Sequence, residues 1–216
     1  MELSFWKYAA EHRDEIAVVD PDGAETRFGE LLDQANALVH GLRALGLQPR
    51  DCVAFAAPNC AEILALFMAG AQAGFYITPV NWHLAAPEIA YIFEDSGAKA
   101  IVCHERLEGL ARRAADLASV PQTARFAIGT IDGFLPLTAL TDGQPTTSPP
   151  DRRAGGPMTY TSGTTGQPKG VRRPVADIPP ETVSTMQAMF LGLFGILPGS
   201  AGVHLVVAPL YHTAVL

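Results

Sequence analysis

The sequence contains few cysteines, and their spacing suits neither pairing nor metal binding. Cys52, Cys60 and Cys103 form no Cys-x-x-Cys pair, and each lies among apolar residues. An odd number of widely separated cysteines disfavours both a disulfide framework and a zinc site. Because an unpaired cysteine behaves as a small hydrophobic residue, we expect three buried free thiols.

Basic charge and long apolar runs are scarce as well. The 15 Lys and Arg residues are outnumbered by 22 Asp and Glu residues, which gives a net charge of -7, whereas a nucleic-acid-binding domain needs a basic face. The first residues lack the basic and apolar regions of a signal peptide. The most apolar stretch, 188–197, is shorter than the roughly 20 residues that cross a bilayer. We therefore expect no nucleic-acid partner, no transmembrane segment and a cytoplasmic location.

What the sequence does contain is enough apolar residues for a large core. Hydrophobic residues make up 48% of the 216-residue chain and charged residues 17%. Segments with helical periodicity alternate with short apolar runs, which favours an α/β fold with a mainly parallel sheet flanked by helices. The predicted strands are 16–19, 24–27, 53–57, 75–78, 100–103, 126–128, 158–161 and 203–208, and the predicted helices are 3–12, 28–45, 87–95, 107–117 and 181–197.

Three local patterns lead to further predictions. Asn59, with Glu62 three positions later, matches a capping box and is predicted to cap a buried helix that runs to Gly74. The segment 136–156 is rich in proline and glycine, which is typical of an exposed, flexible connection. The large apolar residues of the helix 181–197 are interpreted as core residues: Met186, Met189, Phe190 and Phe194.

One stretch contains most of the residues that could bind a ligand. Residues 160–170 read Tyr-Thr-Ser-Gly-Thr-Thr-Gly-Gln-Pro-Lys-Gly and directly follow a β-prone apolar segment. Glycines permit positive φ angles and close backbone approach, so successive N–H groups can form an anion-binding concavity. The hydroxyl groups can donate to phosphate oxygens or contact a metal, and Lys169 adds a mobile positive charge. The pattern predicts a phosphate-binding loop at the carboxyl end of a strand.

This loop is not a Walker A motif. Two residues separate Gly163 from Gly166, and Lys169 precedes a glycine, whereas Walker A has four residues between its glycines and ends in Gly-Lys-Ser/Thr. The alternative reading is a flexible surface turn, because glycine and hydroxyl residues also fill ordinary loops. The order of three glycines, four hydroxyl residues and one lysine after a strand favours the phosphate-binding interpretation.

The order of these residues resembles the phosphate-loop signature of the adenylate-forming superfamily. Two further stretches are similar to family motifs. Residues 79–89 fit Pro-x-Asn-x-x-Leu-x-x-x-Glu-Ile, and residues 209–212 fit Pro-x-x-His. In the first, His83 stands where acyl-CoA synthetases commonly carry arginine, so we interpret His83 as structural. The whole chain most resembles the N-terminal part of a fatty acyl-CoA synthetase.

The resemblance implies an acid–thiol ligase that uses ATP, Mg2+ and coenzyme A. A carboxylic acid, most simply a fatty acid, attacks the α-phosphate of ATP to give an acyl adenylate and pyrophosphate, and the thiol of coenzyme A then takes the acyl group. The resemblance assigns catalytic roles to Lys169 and His212, a metal contact to Thr165 and an acid-substrate contact to Tyr211 and His212. It also assigns nucleotide binding to a set of loop residues: Thr161, Ser162, Gly163, Thr164, Thr165, Gly166 and Lys169.

The resemblance further implies that residues 1–216 form an N-terminal piece of the adenylate-forming domain and that a C-terminal remainder is absent. We expect this chain alone to be inactive, and a homodimer is compatible with the resemblance. Two alternatives stay open. One is an acyl-AMP ligase or a peptide-synthetase-like adenylation domain that loads a carrier protein. The other is a non-catalytic module that binds a nucleotide or an acyl group.

Overall fold

The computed structural model describes residues 3–161, 167–197 and 202–212. Within these residues the strands are β1 (Ile16–Val19), β2 (Glu25–Arg27), β3 (Cys52–Ala56), β4 (Tyr76–Pro79), β5 (Ala98–His104), β6 (Arg125–Ile128), β7 (Leu135–Pro136), β8 (Gly156–Thr161) and β9 (Lys169–Arg172). The α-helices are α1 (Phe5–Glu11), α2 (Phe28–Ala44), α3 (Ala61–Ala73), α4 (Ala86–Asp95), α5 (Glu108–Leu117) and α6 (Pro180–Gly192).

A seven-stranded sheet forms the centre of the fold, with the strand order β7-β6-β5-β3-β4-β8-β9. Neighbouring strands are parallel, except that β8 and β9 are antiparallel. The predicted α/β class with a mainly parallel sheet is therefore confirmed. Because β3, β4 and β8 are neighbours that run in the same direction, the segments that follow them all leave the same edge of the sheet.

Helices cover both faces of this sheet. Along β3 the side chains alternate, so that Val53 and Phe55 belong to one buried cluster with α2 and α3, whereas Ala54 and Ala56 belong to a second cluster with α4 and α5. This alternation is the two-residue period of a strand. A buried strand between two helical layers needs apolar residues at every position, which explains the continuous apolar run that predicted it.

The segment 136–156, predicted to be a flexible connection, lies against α2 and α3. It begins with a 3-10 turn whose Leu137 and Leu140 are buried. Asn36 on α2 donates to the Thr146 carbonyl oxygen at 2.8 Å, and the backbone N–H of Gly155 donates to the Ala71 carbonyl oxygen at 3.0 Å. The segment thus has fixed packing partners, while its flexibility stays a prediction.

The prediction that Asn59 caps α3 is wrong. The helix begins at Ala61, and Cys60 is the residue at the cap position. The Asn59 side chain instead bonds to the backbone of Ala208 and Leu210. A side-chain amide has both a donor and an acceptor, and here it satisfies two backbone groups of a distant segment, whereas a helix cap would use its oxygen alone.

Two predictions near the end of the chain are also wrong. Residues 202–207 contain neither helix nor strand, because none of the described strands pairs with them. The large side chains of α6 and the turn after it are exposed and not buried in a core, with exposed fractions of 64% for Met186, 67% for Met189, 60% for Phe190 and 68% for Phe194. The apolar periodicity therefore predicted the helix correctly, but not the exposure of its large side chains.

The helices and the cysteines of the described residues bear on the predictions of no transmembrane segment and of buried free thiols. There, none of the helices is long and apolar enough to cross a bilayer. All three cysteines are free thiols, with Cys52 and Cys103 buried and Cys60 partly buried.

Candidate functional site

The predicted phosphate loop joins β8 to β9 in an antiparallel hairpin. Thr161 is paired with Lys169, and Tyr160 with Gly170. The hairpin register was not predicted from the sequence, and it makes Thr161 and Lys169 the two ends of the loop. Both residues are exposed. The remaining predicted nucleotide contacts lie outside the described residues: Ser162, Gly163, Thr164, Thr165 and Gly166.

Tyr160 anchors the base of this hairpin to α4. Its hydroxyl group donates to Oδ2 of Asp95 at 2.6 Å. Burial and, to a smaller extent, the hydrogen bond to Asp95 raise the pKa of Tyr160 above its ordinary value of 10.0, so the phenol stays a neutral donor. The ring packs closely on Gly170, where an added Cβ would lie 3.0 Å from Tyr160 Cζ. The Met158 methyl group would lie closer still to that Cβ, at 2.7 Å, so a side chain at position 170 would displace the end of Met158 and press on the Tyr160 ring.

The outer strand of the hairpin is held at its far end. The Tyr76 hydroxyl group on β4 donates to the Arg173 carbonyl oxygen at 2.8 Å. The Arg172 guanidinium lies over the Tyr76 ring, 4.2 Å from its centroid, in a cation–π contact. Both strands of the hairpin thus contact the rest of the fold.

Residues 209–212 form a tight turn at the same edge of the sheet. The His212 N–H donates to the Pro209 carbonyl oxygen at 2.9 Å. Leu210 is only 6% exposed and packs in the cluster between the sheet and α2 and α3. Asn59, which follows β3, accepts a hydrogen bond from the Leu210 N–H at 2.7 Å. These contacts dock the turn beyond the carboxyl end of β3.

Aromatic contacts connect the turn to the end of β4. The Tyr211 ring lies 6.4 Å from the His83 ring between centroids, nearly perpendicular to it, and His83 stacks on Trp82 at 3.7 Å. His83 follows β4, which is the neighbour of β8. The sheet therefore brings the start of the phosphate loop and the turn with Tyr211 and His212 to one edge.

Two residues that contact these segments were missed by sequence reasoning. Asp95 is the last residue of α4 and gave no signal beyond a helix end. Asn59 lies just beyond the carboxyl end of β3, where α/β proteins place ligand-contacting residues, so its position could have indicated a role at the site. Among the described residues no group of three His, Cys, Asp or Glu side chains could hold a metal ion, and Thr165, the predicted metal contact, lies outside them.

Comparison with known proteins identifies the family of this chain. The family model described as AMP-binding enzyme matches residues 5–216. The chain belongs to the AMP-binding enzyme family. The predicted resemblance to the adenylate-forming superfamily is therefore confirmed.

Curated AMP-binding relatives differ in the acceptor that their names give. The fatty acid–[acyl-carrier-protein] ligase ScoC of Streptomyces coeruleorubidus is 30% identical over 165 residues, which cover 76% of this chain and 31% of that protein. A feruloyl-CoA synthase of an Amycolatopsis species is 32% identical over 199 residues, which cover 90% of this chain and 36% of that protein. The chain thus spans about a third of the length of these relatives.

A solved structure shares the fold. A Rhodopseudomonas palustris protein assigned as a long-chain-fatty-acid CoA ligase superposes with a TM-score of 0.77 at 26% identity. The match covers 96% of this chain and 51% of that one. The arrangement of sheet and helices described above is therefore shared with about half of this neighbour.

Proposed function

We propose that the protein containing this chain activates a carboxylic acid, most simply a fatty acid, with ATP and transfers the acyl group to coenzyme A. The observation that carries the proposal is that β8 ends, at Thr161, at the same edge of the sheet as the turn 209–212. Membership of the AMP-binding family supports the adenylate-forming step. The choice of a fatty acid and of coenzyme A rests on the sequence resemblance described above.

The residues at this edge have complementary roles in the first step. A carboxylate oxygen of the acid attacks the α-phosphate of ATP, and the bond from that phosphorus to the bridging oxygen of pyrophosphate breaks. The loop amides, the hydroxyls of Thr161 and its neighbours, and Lys169 bind the departing pyrophosphate and offset its charge. Because these donors are placed before the reaction, they stabilise charge as it develops.

His212 has a different role from the loop. An imidazole can donate a hydrogen bond to a developing negative charge without a permanent ion pair. We assign it to the acid carboxylate and the α-phosphate, with Tyr211 shaping the acid pocket. The aromatic neighbours of Tyr211 support this assignment, because His83 and Trp82 extend an apolar and aromatic surface next to it.

A divalent cation belongs to this scheme as a partner of ATP. Mg2+ is commonly held by few protein ligands together with phosphate oxygens. Thr165 is the residue we assign to it. When bound, Mg2+ neutralises phosphate charge, while the loop amides and Lys169 orient the phosphate chain.

A carrier protein is the second candidate acceptor. The relative from Streptomyces coeruleorubidus is named for an acyl carrier protein, whereas the Amycolatopsis relative is named for coenzyme A. Adenylation is common to both schemes, and only the second half-reaction distinguishes them.

The test is a screen of the full-length protein against a panel of carboxylic acids. Acid-dependent ATP–pyrophosphate exchange reports the adenylation step, and mass spectrometry after addition of coenzyme A reports the thioester. We expect exchange with at least one fatty acid and formation of its acyl-CoA. Exchange without acyl-CoA, but with an acylated carrier protein, would favour the second acceptor. Absence of exchange with every acid would contradict the proposal.

A further inference from the structure

The Asn59 side chain holds the backbone on both sides of Pro209. Its Nδ2 donates to the Ala208 carbonyl oxygen at 3.0 Å, and its Oδ1 accepts from the Leu210 N–H at 2.7 Å. These partners lie 149 and 151 residues away in the sequence, so the contact is tertiary. Proline has no N–H of its own, so the side chain satisfies the nearest backbone donor and acceptor around it.

Asn59 is itself fixed by rigid elements. It follows the buried strand β3 after Ala57, which is 3% exposed, and Pro58. Two residues later α3 begins. A side-chain amide carries the same donor and acceptor types as a peptide group. The Asn59 amide therefore makes the hydrogen bonds to residues 208 and 210 that the backbone of a neighbouring strand would otherwise make. Residues 202–207, which precede the turn 209–212, have neither helix nor strand. The turn is therefore anchored by the Asn59 side-chain amide and by the burial of Leu210.

We propose that Asn59 is a positioning residue for acid activation, because it fixes the turn that carries His212. The inference rests on the proposed function, in which His212 contacts the acid carboxylate and the α-phosphate. In this proposal Asn59 itself contacts neither the acid nor ATP. It acts through the backbone of residues 208–210, and the turn from Pro209 to His212 transmits its position.

Losing this amide is expected to impair the attack of the acid on the α-phosphate, the step to which His212 is assigned. Without it, two part-buried backbone groups lose their partners, which costs free energy and loosens the turn. Displacement of a reacting or stabilising group by about 1 Å can lower a rate by roughly 100-fold. The strand that leads into the phosphate loop has its own anchor, the hydrogen bond from Tyr160 to Asp95, so we expect binding of the β- and γ-phosphates to be independent of Asn59.

Two substitutions in the full-length protein test the inference. Asn59→Ala removes both hydrogen bonds. Asn59→Asp keeps the acceptor for the Leu210 N–H but places a negative oxygen against the Ala208 carbonyl oxygen. In ATP–pyrophosphate exchange we expect kcat/KM for the acid to fall by roughly 10- to 100-fold in both variants. The KM for ATP is expected to stay within about twofold, because the loop anchor is intact.

Asn36→Ala is the matched control. Asn36 is also a side-chain amide that bridges distant backbone, since it donates to the Thr146 carbonyl oxygen at 2.8 Å and accepts from Gln72 at 2.9 Å. It lies between α2, α3 and the segment 136–156, so its loss is expected to lower the melting temperature and to leave the KM for the acid unchanged. Equal loss of kcat/KM for the acid in Asn36→Ala and Asn59→Ala would mean that general destabilisation causes the effect, and would overturn the inference.

A double variant separates positioning of His212 from other effects. If Asn59 acts through His212, the variant Asn59→Ala/His212→Ala is no slower than His212→Ala alone, because the two residues act as a unit. Additive losses, or failure of both Asn59 variants to fold, would overturn the inference. An impaired His212→Ala beside an unimpaired Asn59→Ala would overturn it and leave the proposed function intact. No effect of His212→Ala would refute the role assigned to His212, and the inference with it.

Discussion

Thr161 and Lys169 are paired across the ladder of β8 and β9. Residues opposite each other in an antiparallel pair have Cα atoms about 4.5 to 5.5 Å apart. Two residues predicted to contact the nucleotide, eight positions apart in the sequence, therefore lie side by side where the loop begins and ends. In the proposed function both residues contact the phosphate chain of ATP, which is why Lys169 is the first residue to test.

The close approach of α2 to the segment 136–156 predicts a large stability effect. A Cβ at Gly41 would lie 1.8 Å from the Leu140 carbonyl oxygen. Gly41→Ala should therefore destabilise the fold by about 3 kcal/mol, although alanine favours helices. Gly109 in α5 has open space around its Cα, so Gly109→Ala should stabilise by about 0.5 kcal/mol. Urea unfolding measures both, and a neutral Gly41→Ala would contradict the packing described here.

Burial of the thiols predicts low reactivity. Burial raises the pKa of Cys103 and of Cys60 to about 12, and only the thiolate reacts quickly with alkylating reagents. At about pH 8 the native protein should label slowly at both positions, whereas the unfolded chain should label at Cys52, Cys60 and Cys103. Mass spectrometry of the alkylated protein measures this, and rapid native labelling of Cys103 would contradict its burial.

The hydrogen bond between Tyr160 and Asp95 predicts a pH effect. The pKa of Tyr160 is raised above 10.0 in the fold, so the fold favours the neutral phenol. This stabilisation is complete below the unfolded pKa and is lost as pH rises through the folded pKa. Tyr160→Phe should therefore weaken the loss of stability above about pH 10. In a spectrophotometric titration, Asp95→Asn should lower the pKa of Tyr160, and an unchanged titration would contradict the contact.

Much of the fold was predictable because its signals are local. The buried strands and the helices between them are read from apolar periodicity, and Gly46 and Gly97 end their helices with positive φ angles of 100° and 63°. The phosphate loop was also predicted after a strand, since its glycines and hydroxyl groups are contiguous in the sequence. The resemblance of three motifs to one family then indicated which segments of the chain contribute to the site.

The parts that were not predicted depend on distant partners. Asn59 resembled a helix cap because its sequence neighbours fit one, whereas its bonding groups meet a segment about 150 residues away. The run 203–208 has strand composition, but a strand forms only beside another strand. The hairpin pairing of Thr161 with Lys169 likewise depends on the path of the chain between them, which composition alone does not determine.

The central claim is that the loop between Thr161 and Lys169 binds the phosphate chain of ATP during acid activation. Acid-dependent ATP–pyrophosphate exchange by Lys169→Ala and by Thr165→Val tests it most directly. Lys99→Ala is the control, because Lys99 is an exposed lysine near the amino end of β5, at the opposite edge of the sheet. We predict that each loop variant loses roughly 100-fold or more in kcat/KM for ATP, while Lys99→Ala keeps normal exchange. Unchanged exchange in both Lys169→Ala and Thr165→Val would contradict the account.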